Sequence, residues 1–193
     1  MVPKSPRVRT VGLVFFGLSL IGAAVEPLRD HPPFVDFMGS VGRNTLLGVA
    51  VGALATVVLQ SSSATVGIVI TLASQGMVSL PAGIAMMLGA EVGTCVDTLL
   101  ASLGRSREAL RTGVFRLGFN LVTAAVGIVF ATELSALGQT LGGDGVERQI
   151  AVAQVVFNVL GVALARPFTV HIARALERLI PARPGVGSAG QRP

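Results

Sequence analysis

The chain of 193 residues has no tryptophan, no tyrosine, one cysteine, two histidines and only 13% charged residues. Each scarcity removes a class of function. A soluble domain carries roughly 25% charged residues, about twice what is found here, so a water-facing globular surface is excluded. The mean hydropathy of +0.73 agrees. A platform that stacks nucleic-acid bases needs exposed aromatics beside basic residues. Here the nine phenylalanines lie in apolar runs and the arginines cluster at the ends of those runs, so the net charge of +5 does not point to nucleic acid. Cys95 has no second cysteine to pair with and no histidine close by, which argues against a disulfide framework and against structural zinc. His31 and His171 lie outside the apolar runs, and no histidine stands beside the serines to act as a base. Neither Gly-x-Ser-x-Gly nor His-Glu-x-x-His occurs, so an enzyme is not expected, nor is a cofactor.

What the chain does have is length of apolar sequence. Five stretches can enter a bilayer: 10 to 25, 45 to 74, 80 to 104, 113 to 132 and 150 to 170. A bilayer core of about 30 Å takes roughly 20 helical residues. The first stretch follows Lys4, Arg7 and Arg9 as a signal peptide would, but Glu26, Arg29, Asp30 and His31 lead directly into more apolar sequence, so an uncleaved first span is expected. Two stretches are interrupted. Gln60-Ser61-Ser62-Ser63 divides 45 to 74 into two legs, each too short to span, and Gly89-Ala90-Glu91-Val92-Gly93-Thr94 is expected to divide 80 to 104 in the same way. Unwound backbone at membrane depth is tolerated only where protein walls it off from lipid.

Charge then sets sidedness, because basic flanks prefer the cytoplasm. The N-terminal tail counts +3, the loop bearing Arg105, Arg107, Glu108 and Arg111 counts +2, and the tail from Arg166 counts +4. These three are expected inside. Glu26 to Arg43 sums to −1 and Glu133 to Arg148 to −2, which suits the outside. Parity then requires one interrupted stretch to be a re-entrant hairpin, and charge does not say which. The expected fold is an all-α polytopic membrane protein with about four spanning helices plus one re-entrant hairpin built from broken helices. Residues 1–9 form a basic cytoplasmic tail, 10–180 the transmembrane unit and 181–193 a disordered tail rich in Pro and Gly. Pro27, Pro32 and Pro33 mark a loop, and Pro81 opens a helix.

The chemistry concentrates at Gln60-Ser61-Ser62-Ser63-Ala64-Thr65. Burying one hydroxyl or amide without a partner costs on the order of 2 to 7 kcal/mol, so several together require something to hold. Free amides where a half-helix restarts at Ser63 to Thr65 favour an oxyanion such as phosphate. Carbonyls freed near Leu59 and Gln60 favour sodium. Glu91 is the sharpest ionisable candidate inside an apolar run, with Asp97 beyond it, while Arg116 near a helix end is expected to snorkel. A weak internal echo pairs Arg116 and Asn120 with Gln154 and Asn158, each pair spaced i, i+4. Interhelical hydrogen bonding is the plain reading of that echo.

Gln60 to Thr65, followed by Gly89-Ala90-Glu91-Val92-Gly93-Thr94 and then by Phe119-Asn120, resembles one repeat of the sodium-dependent phosphate cotransporter family, the type II group and its bacterial relatives, from about Val11 to Ile180 and most like the second half. The resemblance implies sodium-coupled phosphate transport by two repeats of inverted topology. Its candidate phosphate and sodium ligands are Gln60, Ser61, Ser62, Ser63, Thr65, Glu91, Thr94 and Asn120, with no metal beyond transported sodium. Three differences stand out. There is one Gln-Ser-Ser-Ser block, so a complete site needs a homodimer or a second repeat-bearing chain. Glu91 replaces a neutral amide, and its carboxylate would repel phosphate but suit a cation or a proton. Arg116 and Gln154 stand where the family has histidine four residues before Phe-Asn. A non-transporting structural or regulatory membrane subunit is the alternative.

Overall fold

The structure is a computed structural model that describes residues 6–102, 107–168 and 174. The tail from residue 181, the N-terminal residues before Pro6 and His171 lie outside the described residues. Among the described residues eight α-helices follow one another: α1 (Pro6–Val25), α2 (Pro32–Arg43), α3 (Thr45–Leu59), α4 (Ser62–Ser74), α5 (Leu80–Ser102), α6 (Arg107–Val129), α7 (Ala131–Gly142) and α8 (Val146–Ala165). Short 3-10 turns follow α1 at Glu26–Leu28 and α8 at Arg166–Phe168. The protein is all-α and polytopic. Three segments, Thr10–Leu28, Leu110–Val129 and Val146–Ala165, are long and apolar enough to cross a membrane, and α2 with α3 forms a further apolar pair bent by 116°.

The local chemistry explains the boundaries. His31 is extended, and Pro32 and Pro33 occupy the first helical positions, where their missing N–H groups are not needed, so these prolines start α2 rather than marking a loop. Met38 and Val41 turn inward from it. Asn44 ends α2 in an extended conformation and caps α3, its Oδ1 accepting from the Leu47 amide at 3.2 Å. That one residue produces the bend. At the other end of the hairpin, α4 closes through Gly76 (φ 75°): the Gly76 amide donates to Ala73 O and the Met77 amide to Leu72 O. Pro81 sits in the first turn of α5.

The core forms around α5, where Ala82, Ile84, Ala85, Met87, Leu88 and Ala90 are essentially inaccessible. Helices in membranes associate through close packing of small residues, since lipid offers no hydrophobic contrast. The α3–α5 contact follows that rule. A Cβ on Gly52 would fall on the Met86 carbonyl, one on Gly89 on the Val49 carbonyl, and one on Gly93 would lie 2.6 Å from Ala53 O. Two Gly-x-x-x-Gly pairs, Gly48 with Gly52 and Gly89 with Gly93, therefore bring the two backbones together.

This contact corrects one expectation. Gly89 to Thr94 does not interrupt its helix: α5 runs unbroken for 23 residues. Glycines that signalled unwinding serve close approach instead. One further expectation is corrected, because Pro32 and Pro33 begin α2 instead of marking a loop, and Glu133 to Arg148, read only for its charge, contains most of α7. α7 buries Leu134, Gly138 and Gly142 on one face, and Gly138 and Gly142 lie against Gln149 of α8.

Contact order along the helices fixes their directions. Gly48 meets Ala85, Ala53 meets Gly93 and Thr56 meets Gly93, so α3 and α5 are parallel and α4 carries the chain back between them. Leu18 faces Gly67 and Gly22 faces Thr71, making α1 parallel to α4. Cys95 faces Leu117 and Asn120 faces Glu91, making α6 antiparallel to α5. Gly83 meets Ile150 and Gln154 meets Glu91, making α8 parallel to α5. The start of α1, the start of α6 and the end of α8 accordingly lie on one side of the bundle.

Candidate functional site

The break between α3 and α4 is two residues long. Gln60 takes the left-handed conformation (φ 53°, ψ 31°), the only non-glycine among the described residues with positive φ. A left-handed residue with a Cβ is unfavourable by roughly 1–2 kcal/mol, so the turn is held by its surroundings. Ser61 is extended and caps α4: its Oγ accepts from the Ala64 amide at 3.2 Å, and its carbonyl accepts from the Thr65 amide at 3.1 Å. Thr65 is buried, and its Oγ1 donates to Ser61 O at 3.2 Å. Thr56, also buried, donates from Oγ1 to Thr65 Oγ1 at 2.8 Å. In a continuous helix residues nine apart would be separated by about 13 Å. The legs thus fold back on one another at Gln60.

The fold leaves particular groups open. The Ser62 and Ser63 amides, first in α4, have no acceptor among the described residues, and the carbonyls of Val57, Val58 and Leu59 have no donor. Donors at a helix start attract an anion, and carbonyls at a helix end attract a cation. Ser62 is half-buried, and Gln60 and Ser63 are exposed. The helix α5 covers one side of the break through Gly93, whose added Cβ would lie 2.7 Å from Thr56 Cβ. The other side is open.

Of the residues singled out from sequence, the structure brings Ser61 and Thr65 together at this break, with Gln60, Ser62 and Ser63 beside them. It does not bring Glu91 or Asn120 there. Glu91 stands two positions before Gly93, about 200° around α5, and so faces the opposite way. It meets α6 and α8 instead. Gln154 Nε2 donates to Glu91 Oε1 at 3.1 Å, and Asn120 Nδ2 reaches Glu91 O at 3.5 Å, as does the Cys95 thiol. Thr94 is half-buried and turned back on its own helix, its hydroxyl donating to Ala90 O at 3.0 Å.

The internal echo separates on inspection. Asn120 is buried and Arg116 exposed, while Gln154 is half-buried and Asn158 exposed, its amide donating to Gln154 O. The Asp97 side chain lies outside the described residues. Thr56 escaped the sequence reading because one threonine in an apolar helix carries no signal. Its position one turn before the break was the clue available. A cavity of about 860 Å³ between α6, α7 and α8 lies away from both polar clusters and is lined by apolar groups, among them Phe115, Phe119, Phe157 and Leu160.

Comparison with known proteins adds what geometry alone does not supply. The model of the Na+/Pi-cotransporter family matches residues 13–146. YqeW of Bacillus subtilis (strain 168), itself uncharacterised, is 26% identical over 173 residues, covering 90% of this chain and 56% of that protein. YjbB of Escherichia coli (strain K12), whose name proposes inorganic phosphate export, is 26% identical over 172 residues, covering 88% of this chain and 31% of that protein. The human sodium-dependent phosphate transport protein 2B is 36% identical over 64 residues, covering 33% of this chain and 9% of that protein. The chain thus spans about half of one relative and a third of another. No solved structure matches it. With its matched segment running through α1 to α7 and including the broken helix, the chain belongs to the Na+/Pi-cotransporter family.

Proposed function

We propose that this chain is one repeat of a sodium-coupled phosphate transporter of the cell membrane, most like the second half, completed by a second copy or by a second repeat-bearing chain, and that it is not an enzyme. The observation that carries the reading is the break at Gln60-Ser61, where open amides of Ser62 and Ser63 stand beside open carbonyls of Val57 to Leu59. α3 has 15 residues and α4 has 13, each short of the roughly 20 needed to span. With α5 intact, α3–α4 is the re-entrant hairpin that parity requires. The positive-inside rule places the shared side of α1's start, α6's start and α8's end in the cytoplasm, so the hairpin dips in from outside.

In the working cycle, sodium is held by the carbonyls at the end of α3 and the serine hydroxyls, which orders the break. Phosphate then binds on the amides of Ser62 and Ser63, with the Ser61 and Thr65 hydrogen bonds holding the turn. Rocking of one repeat against the other exposes the site to alternate sides. The exposed flank of the break, where Gln60 and Ser63 stand uncovered, is where the second repeat would close the site.

The test is uptake of radiolabelled phosphate by proteoliposomes holding only this chain, with and without an inward sodium gradient, together with phosphate binding in detergent. Sodium-dependent accumulation supports self-completion by a second copy. Binding without transport supports a chain that needs a second, different repeat. A correctly inserted chain that neither binds nor moves phosphate overturns the reading and leaves the structural or regulatory subunit.

A further inference from the structure

The polar cluster on the far side of α5 needs its own account. Glu91 is a carboxylate inside an apolar helix, and among the described residues the one side-chain hydrogen bond its carboxylate accepts comes from Gln154. Among the described residues no cation pairs with its carboxylate. On α5 the nearest titratable group is the Cys95 thiol; on α6 Arg116 is exposed and makes no ion pair with Glu91 among the described residues; on α8 the nearest charges, Glu147 and Arg148, are six or more residues from Gln154. A second, independent anomaly sits against the carboxylate. Gln154 Oε1 is buried and has no donor among the described residues. Buried polar atoms are nearly always satisfied, and an orphan acceptor beside an unpaired carboxylate implies a missing positive charge.

The amide of Gln154 has two settings, related by exchange of its oxygen and nitrogen. In the one found here, Nε2 faces Glu91 and Oε1 is stranded. In the other, both oxygens face each other across about 3 Å, an arrangement that a cation or a proton between them makes favourable. We propose that Glu91 and Gln154, drawn from α5 and α8, form a sodium site distinct from the Gln60-Ser61 break, and that sodium reverses the Gln154 amide when it binds. Hard oxygen donors, with no sulfur or imidazole set among them, suit sodium rather than a transition metal. The site joins α5 to α8, while Asn120 Nδ2 and the Cys95 thiol hold the Glu91 carbonyl. Occupancy therefore ties three helices together on the face opposite the phosphate break. This inference rests on the transport reading only for its purpose; the site is defined by binding.

Cys95 supplies the readout, being buried one turn from Glu91 and the only cysteine. The full chain in detergent is heated with a thiol-reactive fluorophore while sodium is titrated against choline at constant ionic strength and without phosphate. Sodium is expected to raise the temperature at which Cys95 reacts. Glu91→Gln, which keeps a hydrogen bond to Gln154, is expected to melt normally in choline and to need at least about tenfold more sodium for the same protection. Gln154→Leu should show the same loss, and Ser62→Ala should keep the part of the response that Glu91→Gln removes, whatever sodium the break itself holds. A sodium response that Glu91→Gln leaves unchanged overturns the proposal. So does a response removed by Ser62→Ala alone, because it places the ion at the break. A Glu91-dependent midpoint that follows pH and ignores sodium assigns the site to a proton and overturns it as well. None of these outcomes depends on whether phosphate moves.

Discussion

Thr56 and Thr65 join hydroxyl to hydroxyl at 2.8 Å across the turn at Gln60, nine residues apart in sequence and buried against α5. The bond sets the angle between the legs of the hairpin. Thr65→Val leaves the Thr56 hydroxyl without its acceptor and should cost about 1–3 kcal/mol, while Thr56→Val leaves Thr65 still donating to Ser61 O and should cost less. The double variant should cost less than the sum, since both polar groups are then gone. Unfolding midpoints of the four chains in detergent form the cycle that checks this.

Glycine contacts between α3 and α5 divide the glycines into two groups. Gly52→Ala would set a methyl against the Met86 carbonyl, a backbone atom that cannot step aside. A destabilisation of about 1–3 kcal/mol or more is expected, because the helices must separate. Gly118→Ala meets nothing within 4 Å and should be neutral or stabilising by up to about 1 kcal/mol. Thermal midpoints of the two variants side by side make the comparison.

Ser61 has two separable roles, capping α4 and bordering the proposed anion site. Ser61→Ala removes the cap and should lower stability by about 0.5–2 kcal/mol. Ser61→Asp restores a good cap acceptor and with it much of the stability, yet places a negative charge where phosphate is expected. Recovery of the midpoint without recovery of phosphate binding is the anticipated result. Equal phosphate binding by the Asp variant and the parent would remove the break from the anion path.

Sidedness is open to labelling. In a chain carrying Cys95→Ala, Arg29→Cys and Arg148→Cys lie at one end of the bundle and Arg166→Cys at the other, and all three positions are exposed. A membrane-impermeant maleimide added to intact cells should label the first two and reach the third only after permeabilisation. Labelling of all three from outside would contradict the helix directions.

The break at Gln60 to Thr65 was legible because a block of hydroxyls and an amide inside an apolar run has few uses. The basic ends were equally legible: three arginine-bearing segments predicted to share a side flank helix ends that do lie together. Gly89 to Thr94 misled because a glycine pair means unwinding or backbone contact according to what lies opposite, and the answer, Gly48 with Gly52, sits some 40 residues earlier. Its matching four-residue spacing was the available signal. The helix α2 was read as a loop because prolines dominate its start, masking the inward face of Met38 with Val41, while Glu133 to Arg148 was read for its charge alone, and the inward face of Leu134 with Gly138 went unread. Glu91 was found, but its partner Gln154 is 63 residues away on a helix whose rotation only tertiary packing decides.

The parallel seating of α3 on α5 also orders biogenesis. In the proposed re-entrant hairpin the turn at Gln60 would hold unpaired carbonyls and amides at a depth where lipid offers no partners, and α5, made after it, is the wall that covers one side. The hairpin is therefore expected not to settle as it leaves the ribosome. It must wait at the translocon, or at the membrane surface, until Gly89 and Gly93 have emerged to receive it. A ribosome stalled before residue 93 should hold a chain whose first span is inserted and whose hairpin is still outside the hydrocarbon.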